Sequence, residues 1–316
     1  MGKVSNTKRQ GVRRQQIAAQ QAAKRAQVRN RMLLATAAVV AVVAVAVALV
    51  LVKMNSKPTV AAPPADGPTG TALATVVKDL TTVPANALDA IRAGSIRGDG
   101  IGSVSTSSGY LAPVTGSPLT SGGKPQVLYV GADFCPYCAA VRWPLIVALS
   151  RFGTFSGLGT TRSAIVNGAG QSEPYPATPT WTFYGSGYTS QYLAFTPVEL
   201  QTSVPDRKSG GYTGLQTPTK AERELVAKYD SSGSIPFIDI GNAYIQMSSL
   251  APYGPPDLQG LTWSQIAAAL HDPSSSLAKS IGGSANYLTA AFCKLTGNRP
   301  ASACTPVIKA LQSRLG

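Results

Sequence analysis

The stretch "VLYVGADFCPYCAAVRWPLIV", Val127 to Val147, carries two cysteines, Cys135 and Cys138, with two residues between them. A pair at this spacing holds a metal, closes a structural disulfide, or carries electrons as a reversible disulfide. The flanks narrow the choice. Gln126–Ala132, "QVLYVGA", is a short apolar run bounded by turn residues, the pattern of a buried strand. Pro136 fits the first turn of a helix, where its missing N–H costs nothing. The spacing predicts a helix to about Phe152, with Val141, Leu145, Ala148 or Leu149, and Phe152 on one face, stopped by Gly153. The cysteines therefore stand at a strand-to-helix junction. Free N–H groups and the positive end of the helix dipole favour a thiolate there. In such sites a thiol pKa falls from about 8.5 to roughly 3.5–7.5. Cys135 is expected to be exposed and nucleophilic, and Cys138, one turn on, to resolve the mixed disulfide. A metal is the weaker reading, because zinc takes about four ligands. The chain has one histidine, His271, four cysteines, and no second CxxC. His271, before Asp272-Pro273 at a helix end, reads as solvated. No cofactor is implied.

Charge and hydropathy place this segment in the cell. The net charge is +14, yet residues 1–32 hold nine of the 28 Lys and Arg and none of the 14 acids. Residues 33–316 keep 19 bases against 14 acids, a net of only +5. The basic arm has no reading motif and no aromatic residue, which argues against nucleic acid. It sets topology or binds anionic lipid headgroups. Next comes Leu33–Val52, "LLATAAVVAVVAVAVALVLV", 20 residues with Thr36 as the only polar side chain. At about 1.5 Å per residue it matches a hydrocarbon core of roughly 30 Å. A cleavable signal peptide is the competing reading, but its apolar region is normally about 7–15 residues. The basic flank should stay cytoplasmic, so the bulk of the chain is expected outside. Residues 53–70 form a Pro-rich linker, and residues 71–316 are left for the extracytoplasmic domain.

Within that domain, "TALATVVKDL" and "PANALDAIRA" predict two short helices, the second begun by Pro84 and ended by Gly94. Residues 94–125 read mostly as loop. Thr180–Tyr184 and Thr189–Phe195 are rich in β-formers around Gly185-Ser186-Gly187, which predicts a hairpin. Residues 202–217 read as loop. "TPTKAERELVAKYD" predicts a helix capped by Thr217, with Pro218 at its first position. "SIPFIDIGNAYIQM" predicts strands Ile235–Ile240 and Ala243–Met247 around Gly241-Asn242, with Pro236 opening the first. "LTWSQIAAAL" predicts a helix with Thr262 and Gln265 as its capping box. Helices around Ala285–Leu295 and Thr305–Leu315 close the chain, and the whole order indicates an α/β domain. Cys293 and Cys304 flank the gap between the last two helices. An even cysteine count in an exported domain favours a structural disulfide there. The alternative is a second redox pair relaying electrons to Cys135 and Cys138.

"VLYVGADFCPYC" resembles the active-site segment of the thioredoxin fold, in which a buried strand ends in an acidic residue, an aromatic, then CxxC. Asp133 and Phe134 match those two positions. That fold also sets a cis-proline loop against the CxxC, just before an antiparallel strand pair, and "SIPFIDIGNAYI" is similar. The resemblance implies a cis Ile235–Pro236 bond. With "TPTWTFYGSGYTSQYL" and "ANYLTAAFCKLTGNRPASAC", these segments resemble the domain-of-unknown-function 929 family, membrane-anchored proteins of thioredoxin-like fold, over roughly residues 75–316. Two positions depart from thioredoxin. Tyr129 stands where it has a buried Asp, and Pro144 lies six residues after the second cysteine rather than five. Proton handling is therefore unassigned.

The expected molecule has one transmembrane helix, then a thioredoxin-like fold with an inserted hairpin or loop and extra terminal helices. The expected activity is a membrane-anchored thiol–disulfide oxidoreductase, an oxidase or isomerase of exported proteins. Its partners would be exported protein thiols and disulfides and an unidentified membrane redox partner. Cys135 attacks or is attacked, Cys138 resolves, and the Ile235–Pro236 loop positions the partner chain. Asp133 is either a proton carrier or a solvated residue at a strand end. Arg142 either favours the thiolates or is solvated. Trp143 and Trp181 read as core or rim packing. The competing expectation is a binding or scaffold module whose Cys135–Cys138 bond is passive.

Overall fold

Alternation along one strand organises the domain. In the computed structural model, which describes residues 67–96, 110–247 and 253–315, β3 runs Lys124–Gly131. Successive side chains of a strand point to opposite faces. Val127 and Tyr129 join one buried cluster, while Leu128 and Val130 join a second. A strand buried on both faces reads as a continuous apolar run, and "VLYV" is one.

β3 is central to a six-stranded mixed sheet. β1 (Ala112–Pro113), β12 (Tyr244–Met247), β11 (Phe237–Ile240), β3 and β2 (Thr120–Ser121) follow in order, all antiparallel. β8 (Ala194–Glu199) lies parallel to β3, with Gly131 opposite Glu199. The first face carries α3 (Pro136–Ser150), with α5 (Trp263–Ala269), α6 (Ser276–Leu295) and α7 (Pro306–Gln312) contributing to the same cluster. α1 (Gly70–Thr81) and α2 (Ala85–Ile91) add Leu80 and Leu88 to it. α4 (Lys220–Tyr229) covers the other face with Leu225, Val226 and Tyr229. Seven α-helices are present among the described residues.

Several expectations change. α3 does not bury one face: from Pro136 to Leu149 every residue except Tyr137 is buried. A helix buried all round belongs in the middle of a fold. Side chains from neighbouring segments bond its backbone: Thr180 donates to the Ala139 carbonyl at 2.8 Å and Tyr253 to that of Ala140. The predicted hairpin is absent. β6 (Pro179–Thr182) pairs with β5 (Gly159–Arg162), β7 (Gly187–Ser190) pairs with β4 (Gly153–Ser156), and the following β8 joins the main sheet. The expected loop 202–217 is a small hairpin of β9 (Gln201–Pro205) and β10 (Tyr212–Gly214). α4 is capped by Thr219, not Thr217, through a reciprocal Thr219–Glu222 box. α5 has its box at Thr262 and Gln265 as predicted. α6 starts nine residues before the expected Ala285.

Cys293, near the end of α6, is disulfide-bonded to Cys304, just before α7, with Cα atoms 5.8 Å apart. The basic arm, the apolar stretch Leu33–Val52 and most of the linker lie outside the described residues. Among the described residues no helix is long and apolar enough to cross a membrane.

Candidate functional site

Where β3 ends, the chain turns through Ala132, Asp133 and Phe134 into α3, and Cys135 becomes the N-cap. Its N–H donates to the Ala132 carbonyl at 3.3 Å. Its Sγ accepts from the Cys138 N–H at 3.2 Å, a capping bond made by sulfur in place of oxygen. The two thiols are not joined. A hundred residues on, the cis Ile235–Pro236 peptide faces them: the Ile235 carbonyl accepts from Cys135 Sγ at 3.8 Å. The structure thus brings Cys135, Cys138, Ile235, Pro236 and Asp133 to one end of the sheet.

Cys135 is not exposed, as the sequence suggested, but only 5% accessible. The β9–β10 hairpin, most of it expected as loop, and the segment around Ala164 account for the enclosure. Ala164 donates to the Phe134 carbonyl at 3.0 Å, and Phe134 stacks on Tyr212 of β10 at 4.2 Å. Asp133 N–H donates to the Gln201 carbonyl of β9 at 2.8 Å. Tyr137 and Tyr175 remain exposed at the rim and meet edge to face. The two sulfurs differ sharply. The hydrogen bond from Cys138 lowers the Cys135 thiol pKa against the effect of burial. Burial pushes that of Cys138 well up, and the neighbouring Cys135 adds to it. This asymmetry suits a nucleophile and a resolving thiol.

Beneath the dithiol lies a charge cluster. Arg142 has no exposed surface, so it is not solvated. Its Nε donates to Glu199 Oε1 at 3.0 Å and its Nη2 to Oε2 at 2.6 Å, a two-pronged grip. Nη2 also reaches Asp133 Oδ1 at 3.5 Å. The guanidinium carbon lies 5.6 Å from the centre of the Tyr129 ring. Asp133 is 6% exposed rather than solvated, and burial pushes its carboxyl up to about 6, with Arg142 pulling it back. Burial raises the Tyr129 phenol well above its ordinary value, so that ring stays neutral. Trp143 and Trp181 are core, in edge contact at 5.4 Å. His271 is exposed and its Nε2 lies 2.9 Å from the Asp79 carbonyl oxygen. No group of three or more His, Cys, Asp or Glu able to hold a metal occurs among the described residues.

Sequence reasoning passed over Glu199. A signal existed: it is the lone acid in "FTPVEL", as Arg142 is the lone base in "CAAVRWPLIVAL". Single opposite charges in two apolar segments must be buried together or not at all.

Residues 110–208 match the family model "Domain of unknown function (DUF929)". The match covers a little under a third of the chain, less than the sequence resemblance spans. It includes Cys135, Cys138, Arg142 and Glu199, and stops short of Ile235–Pro236 and Cys293–Cys304. No curated protein matches, and no solved structure does.

Proposed function

We propose that the domain is thioredoxin-like and works as a thiol–disulfide oxidoreductase on exported proteins, as oxidase or isomerase. On this reading it is tethered by Leu33–Val52 with its basic arm in the cytoplasm. The observation that carries the reading is the asymmetric dithiol. Cys135 caps α3, its sulfur accepts the Cys138 N–H, and it is apposed to the carbonyl before a cis-proline. A passive disulfide has no need of one stabilised and one destabilised thiol. A cycle runs by thiolate attack through a mixed disulfide, with Cys138 releasing the substrate from Cys135. An extracytoplasmic location supports oxidase or isomerase work, because disulfides persist there. Asp133, half protonated near pH 6, is the carboxyl two residues before Cys135 suited to trading a proton with the dithiol.

The burial of Cys135 favours the competing reading, a binding module with an inert pair. Trapping separates the two. Full-length Cys138→Ser, expressed in cells and quenched with acid, should carry mixed disulfides through Cys135, and Cys135→Ser/Cys138→Ser should carry none. No adducts on Cys138→Ser, with a wild-type bond that resists mild dithiol, would sink the oxidoreductase reading. Topology has its own test: a reporter fused after Gly316 should be active outside the cell, and cytoplasmic activity would refute the orientation.

A further inference from the structure

In the proposed oxidase direction the reaction creates a charge on a sulfur with no exposed surface. A substrate thiolate attacks Cys135 Sγ, a new S–S bond forms, the Cys135–Cys138 bond breaks, and Cys138 leaves with the electron pair as a thiolate. A second substrate thiolate then attacks the substrate sulfur of the mixed disulfide, and Cys135 leaves as a thiolate. Two electrons have passed from the substrate dithiol to the pair, and the substrate carries the disulfide. Cys138 is the difficult leaving group, because it has no exposed surface and burial disfavours its charged form. High-pKa thiols leave slowly.

One buried cation lies beside it. Arg142 follows Cys138 by four residues in α3, so the two share a helix face. Burying a guanidinium costs several kcal/mol. Glu199 and Asp133 engage Nε and Nη2, while buried Nη1 has no hydrogen-bond partner. A charge-carrying donor left open in a buried cluster suits an acceptor that is present only part of the time, and a thiolate formed one helical turn away during turnover is such an acceptor. The positive charge of Arg142 acts on both sulfurs in the direction that favours their thiolates. The other groups around the cluster are Tyr129 from β3, Asp133 from the turn and Glu199 from β8. Tyr129 stays neutral, and the two carboxyl groups temper the arginine.

We propose that Arg142, held by Glu199, is a positioning residue that stabilises the thiolate leaving from Cys138 and, in the reduced pair, the thiolate of Cys135, and so poises the pair as an oxidant of exported dithiols. This rests on the oxidoreductase reading and adds its direction, since stabilising the reduced form makes a dithiol pair more oxidising.

Two variants of the full-length chain in detergent test it, by equilibration with glutathione and by the pH dependence of thiol alkylation. Arg142→Met/Glu199→Met removes both partners of the ion pair, a replacement proteins often tolerate. It should shift the equilibrium toward the disulfide by roughly tenfold, about 30 mV for a two-electron couple, with the thiol titration moving up. Glu199→Gln keeps the shape and frees more of the arginine's charge, so both readouts should move the opposite way. If the double variant does not fold, Glu199→Gln decides alone. Shifts within twofold, or of the same sign in both variants, overturn the inference. A wild-type pair that neither reduces nor re-forms in glutathione overturns the oxidoreductase reading instead, while a cycling wild type with unmoved variants overturns only the role of Arg142.

Discussion

At the scale of single residues, Asp133 gives the clearest sign to follow. Its carboxyl is pushed from 3.8 up to about 6, by burial first, with Arg142 opposing and Glu199 adding. The unfolded chain releases this proton near 4, so between about pH 4 and 6 the folded state binds more protons. Stability therefore falls as pH rises through that window. At about 1.36 kcal/mol per pKa unit, the loss from this group is on the order of 2–3 kcal/mol. Asp239, also pushed up to about 6 by burial, contributes with the same sign. The readout is thus the difference between wild type and Asp133→Asn in urea unfolding at pH 4, 5, 6 and 7. The wild type should lose about 2–3 kcal/mol relative to the variant across that range. Parallel curves would show that Asp133 titrates normally. Asp133 was visible in the sequence as the acid before the aromatic and CxxC, but its burial was not, because Glu199 and Gln201, which help enclose it, lie more than sixty residues on.

Among the elements, β3 shows how tightly the dithiol's support is packed. A Cβ added to Gly131 would stand 2.0 Å from the Tyr129 hydroxyl oxygen and 2.4 Å from the ring carbon that bears it. The tyrosine folds along its own strand into space that only glycine leaves free. Gly131→Ala should therefore cost about 1–3 kcal/mol by overpacking. Tyr129→Leu removes the obstacle while leaving a partial cavity, so Gly131→Ala/Tyr129→Leu should cost less than the two single changes added together. Denaturant midpoints of the four proteins check this, and strict additivity would mean the ring moves away at no cost. What the sequence made legible at this scale was local. β3, β11, β12 and the capping box of α5 carry their signals within a few residues. The pairing of β6 with β5 and of β7 with β4 was not legible, because β propensity says nothing of partner choice. Nor was the β9–β10 hairpin, whose "DRKSGG" connection lacks the alternating apolar flanks that announce one. The cap of α4 was misread although "TKAE" carried the box, since Pro218 drew the start toward Thr217.

Over the whole molecule, the disulfide joins the last helix to the core that supports the dithiol. α6 packs on α3 and α7 packs on α6, with Ile308 and Leu311 buried in the same cluster as Trp143. Cys293 has no exposed surface and Cys304 is 2% exposed, against 5% for Cys135, and the two are already joined where α6 meets α7. That geometry favours a clamp over an electron relay. Closing a loop of this length is worth about 3 kcal/mol through the entropy it removes from the unfolded chain. Cys293→Ser/Cys304→Ser should lose stability of that order in urea unfolding, while the equilibrium of Cys135 and Cys138 with glutathione stays unchanged. A relay makes the opposite demand: the variant would keep most of its stability and the first pair would re-oxidise more slowly. Measuring both quantities on one protein separates the two, because a clamp acts on the whole fold and a relay acts only on the traffic of electrons through it.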